Sequence, residues 1–202
     1  MEKSIESTIE ALKGIEHGFK HIIDAGNTIL INMTLDHFDV AKRLLKDESY
    51  QGRMLAVHLL GRLAGTIPEA LDMLETKVSA DSNWRVQEML AKAFDQYCSD
   101  NGYEKSLPKI NKWLTNPHPN VKRAVIEGLR IWTSRPYFKE HHEVAINLIS
   151  LHRADDSEYL RKSVGNSLKD IKKRFPELVE AEISSWSCTD KNVLFTKKLI
   201  RK

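Results

Sequence analysis

Cysteine is scarce: Cys98 and Cys188 are the only two in 202 residues. Two thiols so far apart in sequence exclude a disulfide-stapled scaffold, and they fit packed thiols in a reducing compartment. Nine glycines and six prolines are too few for the many turns of a sandwich or barrel. No apolar run approaches the roughly 18–20 residues of a membrane-crossing helix. The opening MEKSIESTIEALKG is acidic and polar, unlike a signal peptide, so a cytoplasmic protein with no membrane partner is expected. Chemistry-bearing motifs are equally sparse. There is no HExxH, paired CxxC or Walker loop, and Gly61-x-x-x-Gly65 reads as a helix end. His141-His142 beside Glu143 is consecutive and unsuited to chelation from a helix. His17 and His21 have the i, i+4 spacing with Glu16 adjacent, yet lack a third ligand and read as solvent-facing. No metal and no cofactor are expected.

Charge is present in quantity, and it is unevenly spread. The net charge of +3 is the sum of −5 over residues 1–105 (12 Lys+Arg, 17 Asp+Glu) and +8 over 106–202 (19 and 11). That asymmetry points to a polyanionic partner for the C-terminal half, against the plainer reading of solvated helix faces and a basic tail of Lys197, Lys198, Arg201 and Lys202.

The same pattern recurs along the chain. Gly52-Arg53-Met54-Leu55-Ala56, Val86-Gln87-Glu88-Met89-Leu90, Val121-Lys122-Arg123-Ala124-Val125 and Leu160-Arg161-Lys162-Ser163-Val164 overlay, at spacings of 34, 35 and 39 residues. Leu60, Phe94, Leu129 and Leu168 follow at one fixed offset, and the capping stretches DESYQ, DSNWR, NPHPN and DDSEY precede. A fifth copy begins near Val193, after TDKN. Between copies, Phe38–Leu45, Pro68–Val78, Leu107–Leu114, Val144–Leu151 and Pro176–Trp186 carry helical apolar spacing, with Pro68, Pro108 and Pro176 near helix starts.

The unit is helix–turn–helix at a HEAT-like period. The expected fold is all-α, a right-handed α–α superhelix (a HEAT-like, armadillo-type solenoid) with one concave surface. It reads as a single domain: an N-terminal cap over about 1–35, then repeats over about 36–66, 67–102, 103–138, 139–175 and 176–202.

Equivalent repeat positions project from one face. The third position holds Met54, Glu88, Arg123 and Lys162, and the second holds Arg53, Gln87, Lys122 and Arg161, which makes two charged rows. An ordinary wet helix face accounts for such rows equally well. Trp84 stands one helical turn before Glu88 on the same face, so an aromatic plate adjoins a carboxylate. That pairing suits a flat cationic ligand, with arginine able to hold a phosphate. A hydrophobic staple is the plainer role for Trp84. Arg130, Trp132, Arg135, Tyr137 and Phe138 mix basic and aromatic residues, as phosphate contact and stacking require. Tyr137 and Phe138 fit a plug between repeats as readily.

The stretches NWRVQE (83–88), NVKRAVIEGLR (120–130) and DDSEYLRKSVGNSLKDIKKRFPELV (155–179) resemble the AlkD/AlkC family of DNA alkylation repair glycosylases, from about Phe38 to Trp186. The resemblance implies a HEAT-like solenoid that holds duplex DNA in a basic concave groove, without sequence specificity and as a monomer. It implies excision of purines carrying a positive charge from alkylation at N3 or N7. By position, Trp84 matches a tryptophan beside the lesion, Glu88 the essential carboxylate, and Arg123 an arginine gripping the backbone. Phosphate contacts are expected from Lys122, Arg123, Arg130, Arg135, Arg161 and Lys162, and a DNA contact from Asn166. In the family's AlkD branch an aspartate stands at the position of Glu88 and a second DNA-facing tryptophan at that of Asn166. The AlkC branch shares the glutamate and the asparagine. A catalytically silent binder of damaged DNA and a HEAT-like protein scaffold are the alternative readings.

Overall fold

The computed structural model describes residues 2–187 and 189–201, with side chains from residue 5; Cys188 and Lys202 lie outside the described residues. The chain divides into two compact units, Met1–Asp100 and Asn101–Lys202. All regular structure among the described residues is helical.

The first unit holds α1 (Glu2–Lys13), α2 (Lys20–Ile31), α3 (His37–Leu44), α4 (Tyr50–Leu63), α5 (Pro68–Thr76), a 3-10 turn at Val78–Ala80, and α6 (Trp84–Asn101), whose last residue opens the second unit. The second unit continues with α7 (Leu107–Leu114), α8 (Pro119–Trp132), α9 (His142–Ser150), α10 (Glu158–Lys172), α11 (Pro176–Ser184) and α12 (Lys191–Arg201). The four overlaid segments lie in α4, α6, α8 and α10; the residues expected to start a fifth copy lie in α12, and those expected to form an N-terminal cap hold α1 and α2. The segment expected as one helix over Pro68–Val78 is α5 followed by the 3-10 turn.

Four of these helices, α4, α6, α8 and α10, start the same way. An Asp or Asn five residues before the overlaid position folds its side chain onto the backbone two residues on. Asp47 Oδ1 accepts from Ser49 N (2.8 Å), Asp81 Oδ1 from Asn83 N (2.8 Å), Asn116 Oδ1 from His118 N (2.8 Å) and Asp155 Oδ1 from Ser157 N (2.9 Å). These are Asx turns, which offer the backbone a local alternative to helix and thereby set where helix begins. The residue so positioned then caps. Ser49 Oγ accepts from Gly52 N at 3.1 Å and Ser157 Oγ from Leu160 N at 3.3 Å, while Asn83 and His118 accept from Arg85 N and Asn120 N.

The basic second position of the repeat completes this arrangement. Arg53 Nη1 donates to the carbonyl oxygens of Asp47 (3.0 Å) and Glu48 (2.9 Å), and Arg161 Nη1 donates to those of Asp155 (2.5 Å) and Asp156 (3.0 Å). Gln87 Nε2 reaches Asp81 O at 2.8 Å. Two of these residues also reach the Asx turn of the next pair: Arg53 Nε meets Asp81 Oδ2 at 2.6 Å, and Lys122 meets the Asp155 carboxylate. The side chains of Lys122 and Asp155 are 15% and 14% exposed, so this pair is largely shielded from solvent.

Apolar packing supplies the rest. α4 buries Met54, Leu55, Val57, Leu59 and Leu60 on more than one side, because it lies among α2, α3 and α5. Each such side chain contributes roughly 1.5–3 kcal/mol when fully buried. Gly61 is a buried packing residue here, beyond the helix end read from sequence: a Cβ on it would fall 2.7 Å from the Cα of Ala93 on α6. In the second unit Trp132 and Phe138 are fully buried, stacked at 5.6 Å, and closed by Tyr103 at 5.3 Å from Trp132. Phe138 is therefore the plug between elements, and Trp132 cannot stack on a ligand. Tyr137, half-buried at φ +68°, packs on Phe138 and His141.

Replacing Gly61 with Ala forces α4 from α6 and lowers stability by about 1–3 kcal/mol in urea denaturation. Asp155 is held below the ordinary carboxylate range: burial alone would raise it, but the Lys122 hydrogen bond, the Ser157 amide and the nearby charges of Lys122 and His152 outweigh that. Its contribution is thus present above the unfolded carboxylate pKa of about 3.9 and is lost as pH falls through the lower folded value. Asp155→Asn should lose about 1–3 kcal/mol at neutral pH and should flatten the acid limb of the stability–pH curve.

Candidate functional site

In the first unit the Asx turn at Asp81 delivers Trp84 as the first residue of α6. At a helix start, with Val86, Met89 and Leu90 taking the buried face, the indole is left outside and is 53% exposed. Glu88 follows one turn later on the same face and is half-buried. The aromatic plate and the carboxylate expected from spacing are thus brought together on α6.

A third residue belongs to this group. The Arg85 guanidinium lies 4.5 Å from the Trp84 ring centroid and 5.0 Å from that of Tyr50. Tyr50 begins α4 as Trp84 begins α6, and its hydroxyl donates to Glu16 O at 3.3 Å. Arg85 is therefore held by two rings, a cation–π arrangement on both. The available signal was the aromatic residue at the same repeat position in both helices, with an arginine next to the second.

The expected phosphate-contacting residues lie in the second unit, and equal register does not give them equal surroundings. Arg123 is 7% exposed; its Nε donates to Ser163 Oγ at 3.2 Å, its guanidinium stacks on Tyr159 at 4.9 Å, and its Nη2 lies 3.8 Å from Glu127. Arg130 meets Glu127 at 3.3 Å and Asp170 at 3.4 Å. Lys173 closes on the other Asp170 oxygen at 2.7 Å. The facing sides of α8 and α10 thus carry charges of alternating sign: Arg123, Glu127, Arg130, Asp170, Lys173. Asn166 is exposed on the same side of α10, midway between Ser163 and Asp170.

The remaining candidates divide. Arg161 is 8% exposed, committed to the loop carbonyls and stacked on Phe195 at 5.3 Å. Lys122 is committed to Asp155. Lys162, one residue from Arg161, is 53% exposed and meets Glu158 at 2.8 Å. Arg135 is exposed in the segment after α8. The second-position row therefore secures the repeat, and Lys162 and Arg135 are the exposed members among these candidate cations.

No group of three or more His, Cys, Asp or Glu that could hold a metal occurs among the described residues. His17 precedes the start of α2 at Lys20, so its i, i+4 spacing to His21 is not a helical one. His141 stacks on Tyr137 and His142 on Phe175, at 4.7 and 3.8 Å. Among the described residues no helix is long and apolar enough to cross a membrane.

Comparison with known proteins places these residues in a family. The chain superimposes on the crystal structure of AlkD2 from Streptococcus mutans with a TM-score of 0.93 and 42% identity, covering 100% of this chain and 97% of that one. It is also similar to smu.31 from Streptococcus mutans UA159, with a TM-score of 0.87, 40% identity, and coverage of 98% and 97%. A curated relative, the uncharacterized protein YhaZ of Bacillus subtilis (strain 168), is 31% identical over 87 residues, which are 41% of this chain and 24% of that protein's length. The helical-repeat fold is thus the one shared with AlkD-type structures. The family model described as DNA alkylation repair enzyme matches residues 24–192, which include both Glu88 and Arg123, and the chain belongs to that family.

Proposed function

We propose that this protein binds duplex DNA through its backbone phosphates and hydrolyses the N-glycosidic bond of purines alkylated at N3 or N7. The observation that carries the reading is the pairing on α6 of an exposed indole, Trp84, with the half-buried carboxylate of Glu88 one turn away.

The chemistry asks for little more. An N3- or N7-alkylpurine is cationic, so breaking the C1′–N9 bond sends the electron pair into the ring and releases a neutral base. The sugar left behind gains oxocarbenium character. A carboxylate beside it stabilises that charge and orients the water whose oxygen forms the new bond to C1′, and the water's proton passes to the carboxylate or to solvent. Glu88 takes that role. Trp84 offers its face to the lesion, and the exposed Lys162 and Arg135 meet phosphates, positioning the strand without reading sequence.

A second reading, a silent binder of damaged DNA, is favoured by Arg85. A ring that already carries a guanidinium attracts a second cation less strongly. Asn166, standing where related glycosylases of the AlkD branch carry a tryptophan, points the same way.

The deciding experiment uses a duplex with a single 7-methylguanine. The wild type should release the base above the spontaneous rate, and Glu88→Gln should lower release by roughly a hundredfold or more while DNA affinity is kept. Binding without release by the wild type transfers the protein to the second reading. Loss of duplex binding even at low salt removes both.

A further inference from the structure

The first unit contains a cleft of about 250 Å³ between α2, α4 and α6, lined by Asn27, His58, Arg62, Lys92, Asp95 and Gln96 among others. Resting on the DNA-binding reading above, we infer that this cleft seats a backbone phosphate of the bound strand, gripped by Arg62 and Lys92.

Four observations converge on it. The volume equals that of several water molecules, enough for a phosphate group. Arg62 and Lys92 are exposed, and neither is engaged in an ion pair among the described residues; Lys92 rests over the Phe19 ring at 5.2 Å. The cations of α8 and α10 contrast with these, since Lys122, Arg123, Arg130 and Lys162 each face a carboxylate.

The floor of the cleft is built to stay uncharged. His58 reaches Asn27 Oδ1 at 3.1 Å and fills the space left by Gly26, where a Cβ would fall 2.2 Å from the ring. Burial first, and then the Arg62 charge, push its pKa down to about 4. Asp95 stands on the same wall. A phosphodiester entering here meets the two cations, the neutral polar groups of His58 and Asn27 beneath them, and one carboxylate, Asp95, on the wall.

Register ties the cleft to the candidate site. Lys92 is one turn beyond Glu88 and two beyond Trp84 on α6, so these side chains share a face, with about 6 Å of rise per four residues. A strand whose sugar lies at Glu88 has its neighbouring phosphate within reach of Lys92.

The test is the double variant Arg62→Ala, Lys92→Ala, both exposed positions, checked first for an unchanged melting temperature. Binding of a fluorescent undamaged duplex is then followed across a salt series. Relative to wild type, the variant should bind about tenfold more weakly at low salt, and the slope of log K against log salt should be shallower by about 1. Wild-type binding that the double variant reproduces in both affinity and slope overturns the inference. A second arm titrates inorganic pyrophosphate into the wild type and follows the His58 ring resonances. A shift that the double variant lacks supports phosphate recognition by the cleft even if no duplex is bound, in which case it is the DNA reading that fails. No shift together with no duplex binding overturns the cleft as a phosphate site. A pyrophosphate response beside unaltered duplex binding assigns the cleft to a free phosphate compound and overturns its role in holding the strand.

Discussion

Helix starts are where this fold is decided. In four consecutive pairs an Asp or Asn closes an Asx turn, the residue two further on caps the second helix, and in three of them the second-position side chain of that helix reaches back to the Asx carbonyl. The turn sets the first helical residue, and with 3.6 residues per turn that choice dictates which side chains face the core and which face out. Trp84 is exposed and Val86 buried because α6 begins at residue 84. A start displaced by one residue would rotate every later side chain by about 100° and separate Trp84 and Glu88 from their present face. The geometry of the candidate site is thus inherited from a local hydrogen bond at Asp81.

Much of this was legible in sequence. The repeated segments, the capping stretches and the prolines near helix starts locate nearly every helix within a residue or two, since caps and apolar spacing are local signals. The pairing of Trp84 with Glu88 was legible for the same reason, since both lie on one helix one turn apart. The destination of each charge was not. Arg53, Gln87 and Arg161 each follow an aspartate by six residues, and that co-occurrence marks them as partners of the loop, yet viewed as members of a row they read as an outward face. Arg123 illustrates the deeper difficulty. Its burial depends on Tyr159 and Ser163, some forty residues away, and no periodicity within α8 reports what α10 presents. Gly61 was illegible for a like reason: its role is set by Ala93 on another helix.

Net charge is therefore a poor map of electrostatic potential here. The basic half, at +8, places much of its charge in ion pairs and backbone contacts, whereas Arg62 and Lys92 stand open in the half that sums to −5. A cation facing a carboxylate at 3–4 Å projects little field beyond a Debye length, about 8 Å at physiological salt. One with no such partner, above a neutral histidine, projects its full charge locally. Counting residues adds the two kinds equally, although an incoming anion does not meet them equally.

The same distinction bears on the carboxylate. For the proposed hydrolysis the leaving group is already activated by its own charge, so no strong acid is needed. The burden falls on stabilising a transient cation at the sugar. A half-buried carboxylate serves that purpose if it stays ionised while being shielded enough for its field to act over a few ångströms. Glu88 has one more methylene than aspartate, which lets it reach further from the helix but leaves an additional rotatable bond to be fixed before the group is in place. What limits such a site is then how firmly the side chain is held, and Arg85 matters on that account. Locked between Tyr50 and Trp84, it stiffens the wall next to Glu88, while occupying aromatic surface on which a cationic base could otherwise stack.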